Sequence, residues 1–283
     1  MSNIFANETA HSIATFHLKE TEFKKICKIV YSVCGIDLRE GKEELVKSRL
    51  SKRLRALNIN RFENYLTFIE KDPSKKELNL MVDILTTNKT YFFRESQHFD
   101  LLKQKVIPKL NHSKIRFWSA GCSSGEEPYT ISILLREEIP DIDKIDVKIL
   151  ATDISLRVLE KANAAVYEKE AFNDLSQTYL KKYFTCVGSN LHQSFRVNEK
   201  IMKIVYFAQL NLMEQWPMAG KFDVIFCRNV MIYFDKPTRE KLINRFWDYL
   251  VPGGYLFVGH SESLTGLSHQ FGYVQPAVYI KSN

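Results

Sequence analysis

The sequence predicts an α/β domain built on a mostly parallel sheet, preceded by a small all-α domain. Two observations carry this. Between Glu20 and about Leu85 the apolar residues recur at helical spacing. From Ile115 onward apolar strand-like runs alternate with helical stretches, the pattern of a sheet covered by helices on both faces. The 283 residues suffice for two domains, and 45% hydrophobic with 26% charged residues excludes a disordered chain.

Residues 1–17 are polar and read as a flexible N-terminus. The helical domain is assigned to 18–88, where four apolar stripes follow one another. Phe23, Ile26, Cys27 and Val30 form the first, and Val46, Leu50, Leu54 and Leu57 the second. Phe62, Tyr65, Leu66 and Ile69 form the third, and Leu78, Met81, Val82 and Leu85 the fourth. Polar connections at 35–41, 58–60 and 72–74 separate them.

The α/β domain is assigned to 89–283. Its strands read as IRFWSA, VKILATD, FDVIFC, YLFVGH and a last one in AVYIKS. These runs are close to continuously apolar, as strands buried on both faces require. Helices are expected at 126–138, 155–164 and 236–250. Between about 179 and 207 the alternation stops. FTCV, QSFRV and KIVYFA, around a Gly188-Ser189-Asn190 turn, read as a small inserted antiparallel β-subdomain.

Five cysteines without a pairing framework or a zinc spacing point to free thiols, a reducing cytoplasmic location and no metal. No signal peptide is evident, and no apolar run reaches the ~20 residues needed to cross a bilayer, so membrane association would be indirect. The net charge of +7 is compatible with nucleic acid or with an acidic protein partner. Nothing demands a dimer, so a monomer is expected.

In open α/β sheets ligands sit beyond the carboxyl ends of the strands. After the first strand stands Ser119-Ala120-Gly121-Cys122-Ser123-Ser124-Gly125-Glu126-Glu127-Pro128. The dinucleotide pattern GxGxxG is missing, and two acidic residues would repel a pyrophosphate. They suit a cationic ligand, and the sulfonium and ammonium of S-adenosylmethionine (SAM) have the right sign. Ser124-x-x-Glu127 equally fits a helix capping box. Asp153, at the end of the second strand, could bind both ribose hydroxyls or cap the following helix. The strand FDVIFC ends in Arg228-Asn229-Val230 rather than a DPPY-type or NPPF-type sequence, which disfavours an amine on a base or glutamine as acceptor.

Five segments occur in order: Thr86-Thr87-Asn88-Lys89-Thr90-Tyr91-Phe92-Phe93-Arg94-Glu95, the Trp118–Tyr129 segment, Ala151-Thr152-Asp153-Ile154, the Phe226–Phe234 segment, and Gly259-His260-Ser261-Glu262-Ser263. Together they resemble the chemotaxis receptor methyltransferases, the CheR family, from about Phe23 to Ile280. The resemblance implies a Rossmann-like SAM-dependent methyltransferase domain with its β-subdomain, behind an all-α domain that docks on receptors. It implies methylation of glutamate γ-carboxylates on the cytoplasmic methylation helices of bacterial chemoreceptors, with S-adenosylhomocysteine as product. It implies SAM contacts from Asn88, Thr90, Arg94, Glu127, Asp153, Asn211, Leu212, Arg228 and Asn229, and catalytic roles for Arg94 and Tyr233.

The chemistry suits these residues. A glutamate with pKa near 4.3 is already ionised at neutral pH, so no general base is needed. What remains is alignment of the reacting atoms in a dry pocket. A tight bidentate grip by Arg94 would stabilise the ground state, so a single orienting hydrogen bond is expected. Tyr233 would supply a neutral contact, and packing between Met231 and Phe234 is its other reading.

The helix over 42–57 carries Lys42, Arg49, Lys52, Arg53 and Arg55 outside its apolar stripe. Charge alone leaves a solvated face and an acidic-partner docking surface equally open; the resemblance favours docking. Nucleic acid is disfavoured by the lack of aromatic interleaving. By the same resemblance, the β-subdomain could take up a receptor's C-terminal tail peptide by strand addition.

Overall fold

The computed structural model describes residues 16–38, 41–110, 113–172, 175–189 and 192–282. The expected flexible terminus lies outside these residues except for its last two positions, as does Asn190 of the expected Gly188-Ser189-Asn190 turn. Two compact units result. One takes the described residues up to Ile29 with Leu38–Leu85; the other takes Val30–Asp37 with Thr86–Asn283.

The first unit is all helical. It is built from most of α1 (Glu20–Cys34) with α2 (Glu43–Ala56), α3 (Phe62–Glu70) and α4 (Lys76–Leu85). Most of the predicted stripe residues form its core: Val46, Leu50 and Leu54 of α2, Tyr65 and Leu66 of α3, Met81 and Val82 of α4 are buried, whereas Cys27, Leu57 and Leu78 are half-buried. Each such side chain contributes about 1.5–3 kcal/mol. Asp72 marks the α3–α4 turn, accepting from the backbone N–H groups of Ser74 and Glu77 at 2.9 and 3.0 Å.

The second unit runs α5 (Ser96–Leu101), β1 (Lys114–Ala120), α6 (Glu126–Glu138), β2 (Asp146–Asp153), α7 (Leu156–Ala164), β3 (Val166–Glu168), α8 (Gln177–Tyr183), β4 (Phe184–Ser189), β5 (His192–Val197), α9 (Glu199–Met202), β6 (Val205–Gln209), β7 (Phe222–Cys227), α10 (Lys236–Tyr249), β8 (Leu250–Val258), β9 (Gly272–Gln275) and β10 (Val278–Ile280). The main sheet has the order β6-β2-β1-β7-β8-β10-β9, and β3-β5-β4 form a second, three-stranded sheet. β6, β2, β1, β7 and β8 are parallel neighbours, while β10 pairs antiparallel with β8 and β9. Alternate residues of the central strands enter two cores. Ile115, Phe117, Phe226 and Phe257 belong to one; Trp118, Ile225, Leu256 and Val258 belong to the other. The fold is therefore a Rossmann-like α/β sheet with a small antiparallel sheet beside it.

One sequence expectation is corrected. KIVYFA is not part of the antiparallel piece: Val205–Gln209 pairs in parallel with β2, and β3 supplies the third strand of the small sheet instead. The reason is position. β6 is an edge strand paired only with β2, and of its residues only Val205 is buried, so it lacks the long buried apolar run that marks the central strands.

The segment Val30–Asp37 joins the second unit through specific bonds. Ile36 bridges to Phe234, and the Asp37 N–H donates to the Tyr233 carbonyl at 2.8 Å. Tyr31 Oη donates to Asp235 at 2.8 Å.

Candidate active site

The parallel strands all end on one edge of the sheet, and the loops leaving those ends form the site. After β1 the chain turns sharply. Gly121 and Cys122 both donate their N–H to the Thr152 carbonyl, at 2.8 and 2.9 Å. Gly121 and Gly125 have φ of 80° and 96°, the left-handed region that favours glycine. A Cβ at Gly121 would stand 2.4 Å from Val230 Cγ2, and one at Gly125 would stand 2.9 Å from Ala162 and the Tyr167 hydroxyl. These glycines permit loop against loop and loop against helix, a closer approach than sequence alone suggests.

The capping reading of Glu127 does not hold. The Ser124 hydroxyl donates to Glu126 instead, at 2.8 and 3.0 Å, and left-handed Gly125 takes the N-cap position. Glu127 accepts from Ser119 Oγ at 2.6 Å and from Arg228 Nη1 at 3.1 Å. Asp153 is not the helix cap either, because Ser155 fills that role by accepting from the Val158 N–H at 3.2 Å. The Asp153 carboxylate accepts the N–H groups of Ser123 and Ser155, at 2.8 and 3.0 Å, tying the loops after β1 and β2 together.

After β7, Arg228 is nearly fully buried. It reaches Glu127, Glu95 Oε2 at 3.1 Å and the Arg94 carbonyl, and its guanidinium lies 5.3 Å from the Phe99 ring centre. Through these bonds Arg228 supports the loops around it. Asn229, at φ 59°, donates its side-chain amide to Glu95 Oε1 at 3.3 Å. Glu262, from the loop after β8, accepts the N–H groups of Gly259, Asn229 and Ile232 at 2.6, 2.7 and 3.0 Å.

The 86–95 loop meets this frame through Ser123 Oγ, which donates to the Asn88 carbonyl at 3.0 Å. The Asn88 amide donates to Thr86 Oγ1 at 3.2 Å, and Thr90 is half-buried. Arg94 donates Nη1 to the Lys89 carbonyl at 2.8 Å and lies 5.8 Å from the Tyr91 ring centre. After β6, the Asn211 amide donates to the Val33 carbonyl at 2.6 Å and its oxygen accepts the Met213 N–H at 3.0 Å. Leu212 is buried, and its carbonyl is held by Arg245 at 2.7 Å. Tyr233 closes a single 3-10 turn and is half-buried.

Two carboxylates central to this frame, Glu95 and Glu262, carry no role in the sequence reading. Their motifs were visible, FFRESQHF and GHSES, but their partners lie 133 and 33 residues away. His98 is a third. Its imidazole, with Glu95 and His260, presents ligand atoms within 4.8 Å of one another. The Glu95 oxygens accept from Arg228, Asn229 and the His260 N–H.

Carboxylates dominate the field. Burial pushes the carboxyl groups of Glu126 and Glu262 up, and that of Glu127 too despite the opposing pull of Arg228. Burial acts likewise on Glu95, but Arg228, helped by Asn229, outweighs it and holds this carboxyl below its ordinary value. The Cys122 thiol is pushed well up by burial, then by Asp153 and Glu127, so it is no nucleophile.

In the helical unit the predicted docking residues divide. Arg53 forms a bidentate pair with buried Glu77, at 2.9 and 2.6 Å, and Tyr65 donates to the same carboxylate at 2.8 Å. Arg49 Nη1 donates to the Leu85 carbonyl at 2.7 Å, at the end of α4. Lys42, Lys52 and Arg55 remain exposed.

Comparison with known proteins matches the profile "CheR methyltransferase, all-alpha domain" to residues 21–86 and "CheR methyltransferase, SAM binding domain" to 88–280. The chain belongs to the CheR methyltransferase family. It is 45% identical over 277 residues to a chemotaxis protein methyltransferase of Borreliella burgdorferi, covering 94% of this chain and 96% of the relative. It is 41% identical to chemotaxis protein methyltransferase 2 of Pseudomonas aeruginosa, over 98% and 97% of the two chains. A Salmonella typhimurium chemotaxis protein methyltransferase is 40% identical, over 94% and 91%. The CheR SAM-binding region spans every strand end described above. Strand-end loops that carry Glu127 and Glu95 on the buried Arg228, with Asp153 bridging the loops after β1 and β2, fit a cationic methyl donor better than a polyphosphate. No helix among the described residues is long and apolar enough to cross a membrane.

Proposed function

We propose that this protein methylates glutamate γ-carboxylates on the cytoplasmic methylation helices of chemoreceptors, using SAM. The observation that carries the reading is the carboxylate-rich mouth at the strand ends of a chain with two CheR profiles in sequence. Asn88, Thr90, Arg94, Glu127, Asp153, Asn211, Leu212, Arg228 and Asn229 would hold the cofactor. When bound, SAM supplies a methyl group on a sulfonium, an electrophile for an oxygen nucleophile.

The chain's residues then have three tasks. The acceptor is ionised at neutral pH, so none of them removes a proton. Arg94, whose guanidinium is tethered to the Lys89 carbonyl, orients the acceptor through one hydrogen bond. Tyr233, held by the Asp37 N–H on its carbonyl, presents a neutral surface that excludes water. Glu127 and Asp153 are engaged by the protein before any ligand arrives, which lowers the reorganisation needed on binding.

The exposed Lys42, Lys52 and Arg55 of the α2 region are suited to the acidic methylation helices. Arg49 and Arg53 contribute by holding the helical unit together. The edge strands of the three-stranded sheet would accept a receptor tail peptide by strand addition. A cytoplasmic monomer that meets the membrane only through its receptor completes this reading.

The test is incubation with methyl-labelled SAM and receptor cytoplasmic fragments, followed by alkali. Base-labile label supports a methyl ester. Base-stable label, or SAM binding without transfer, overturns the reading, and the second outcome marks a SAM-binding adaptor instead.

A further inference from the structure

We infer that Glu95 is a positioning residue for methyl transfer, a latch that fixes the backbone from which Arg94 projects. The inference rests on the proposed role of Arg94.

The main chain around Arg94 is unusual. Phe93 and Glu95, the residues on either side, have φ of 59° and 57°. Left-handed conformations of non-glycine residues cost about 1–2 kcal/mol each and persist only where the surroundings over-determine them. Two anchors do so here. On the N-terminal side Phe92 is buried against Tyr167, Phe172 and Phe184, with ring centres 5.0–5.1 Å away, and the Phe93 N–H donates to Thr130 Oγ1 at 3.2 Å. On the C-terminal side the anchor is the Glu95 carboxylate.

That carboxylate collects donors from two loops. Oε2 accepts from Arg228 Nη2 and Nε at 3.1 and 3.3 Å and from the His260 N–H at 3.3 Å. Oε1 accepts from the Asn229 amide at 3.3 Å. Arg228, so held, donates to the Arg94 carbonyl. A single side chain therefore joins the Arg94 loop to the loops after β7 and β8, and through Arg228 to Glu127. Charge matters at this point. A glutamine has one acceptor oxygen for these two sets of donors: its NH2 would face either the Asn229 amide or the Arg228 guanidinium, and in both orientations the charge that holds the guanidinium is gone. Released from the latch, the left-handed turn can relax and Arg94 moves relative to the sheet. A displacement of about 1 Å at a reacting geometry can cost on the order of 100-fold in rate.

The test compares Glu95→Gln with the unmodified full-length protein in three measurements. Single-turnover methyl transfer should fall at least about tenfold, while the Kd for S-adenosylhomocysteine changes less than about threefold. In an Arg94→Lys background the same substitution should cost little further rate, because the two act as one unit. Amide exchange at Arg94–His98 should speed up at least about tenfold, with exchange in β1 and β7 unchanged. Unchanged turnover, a loss of affinity equal to the loss of rate, or an equal rate loss in both backgrounds would overturn the latch. The exchange measurement needs no activity. If the unmodified protein transfers no base-labile methyl, the proposed reaction fails, and unaltered exchange at Arg94–His98 would still refute the latch separately.

Discussion

His98 should make the stability of the catalytic unit steeply dependent on pH. The side chain is fully buried, 3.4 Å from Glu95 and with its ring centre 4.6 Å from that of His260. Burial, then Arg228 and His260, push its pKa from 6.5 to about 3, with Glu95 pulling the other way. In the unfolded chain the imidazole takes up a proton as pH falls through 6.5, while in the native state it stays neutral down to about pH 3. The unfolded state therefore binds more protons inside this window, and stability is lost as pH falls across it. At about 1.4 kcal/mol per pH unit the whole window is worth up to about 5 kcal/mol, of which about 2 kcal/mol is lost by pH 5. Urea unfolding of the unmodified protein and His98→Leu, at several pH values from about 7.5 to 5, checks this. Fluorescence of Trp118, Trp216 and Trp247 reports on this unit, which holds all three tryptophans. The unmodified protein should lose about 2 kcal/mol more than the variant over that range. Parallel pH profiles would show that His98 protonates freely in the folded state and that the packing argument is wrong.

Three further outcomes are expected. Glu77→Gln should destabilise the helical unit by about 1.5 kcal/mol, because it replaces the charge-assisted pair with Arg53 by a neutral one and leaves a single oxygen for Arg53 and Tyr65; a melting curve within about 0.5 kcal/mol of the original would contradict this. Lys52→Glu with Arg55→Glu should raise the KM for receptor fragments about tenfold at low ionic strength with kcat unchanged, and the effect should fade as salt screens it; a salt-independent KM would argue against docking by these residues. Glu127→Gln should weaken S-adenosylhomocysteine binding at least about tenfold in calorimetry, equivalent to about 1.4 kcal/mol, since Glu127 is itself one of the proposed cofactor contacts; undiminished affinity would remove Glu127 from the site.

What the sequence disclosed follows from how local each signal is. β1, β2, β7 and β8 were legible because their C-terminal halves, covered on both faces, are near-continuous apolar runs. β6 was misassigned because an edge strand, exposed past Val205, carries no long buried apolar run. The acidic character of the mouth was readable from Glu126-Glu127 and Asp153, which stand next to strand ends. The frame that orients those carboxylates was not, since Arg228, Glu95 and Glu262 meet only through tertiary contacts. Arg53 and Arg55 are two positions apart on α2, yet one is locked to Glu77 and the other lies 5.5 Å from the Phe16 ring centre, exposed. Charge pattern along a helix cannot separate these fates, because the deciding carboxylate is 24 residues away.

The placement of Val30–Asp37 bears on how this enzyme can be dissected. A fragment begun at residue 88, where the SAM-binding profile starts, would be cut in the wrong place. It would lack the backbone partner of Phe234, the donor to the Tyr233 carbonyl and the acceptor for the Asn211 amide. Truncation would thus blunt the catalytic half itself, and lost turnover in such a fragment would be no measure of receptor docking.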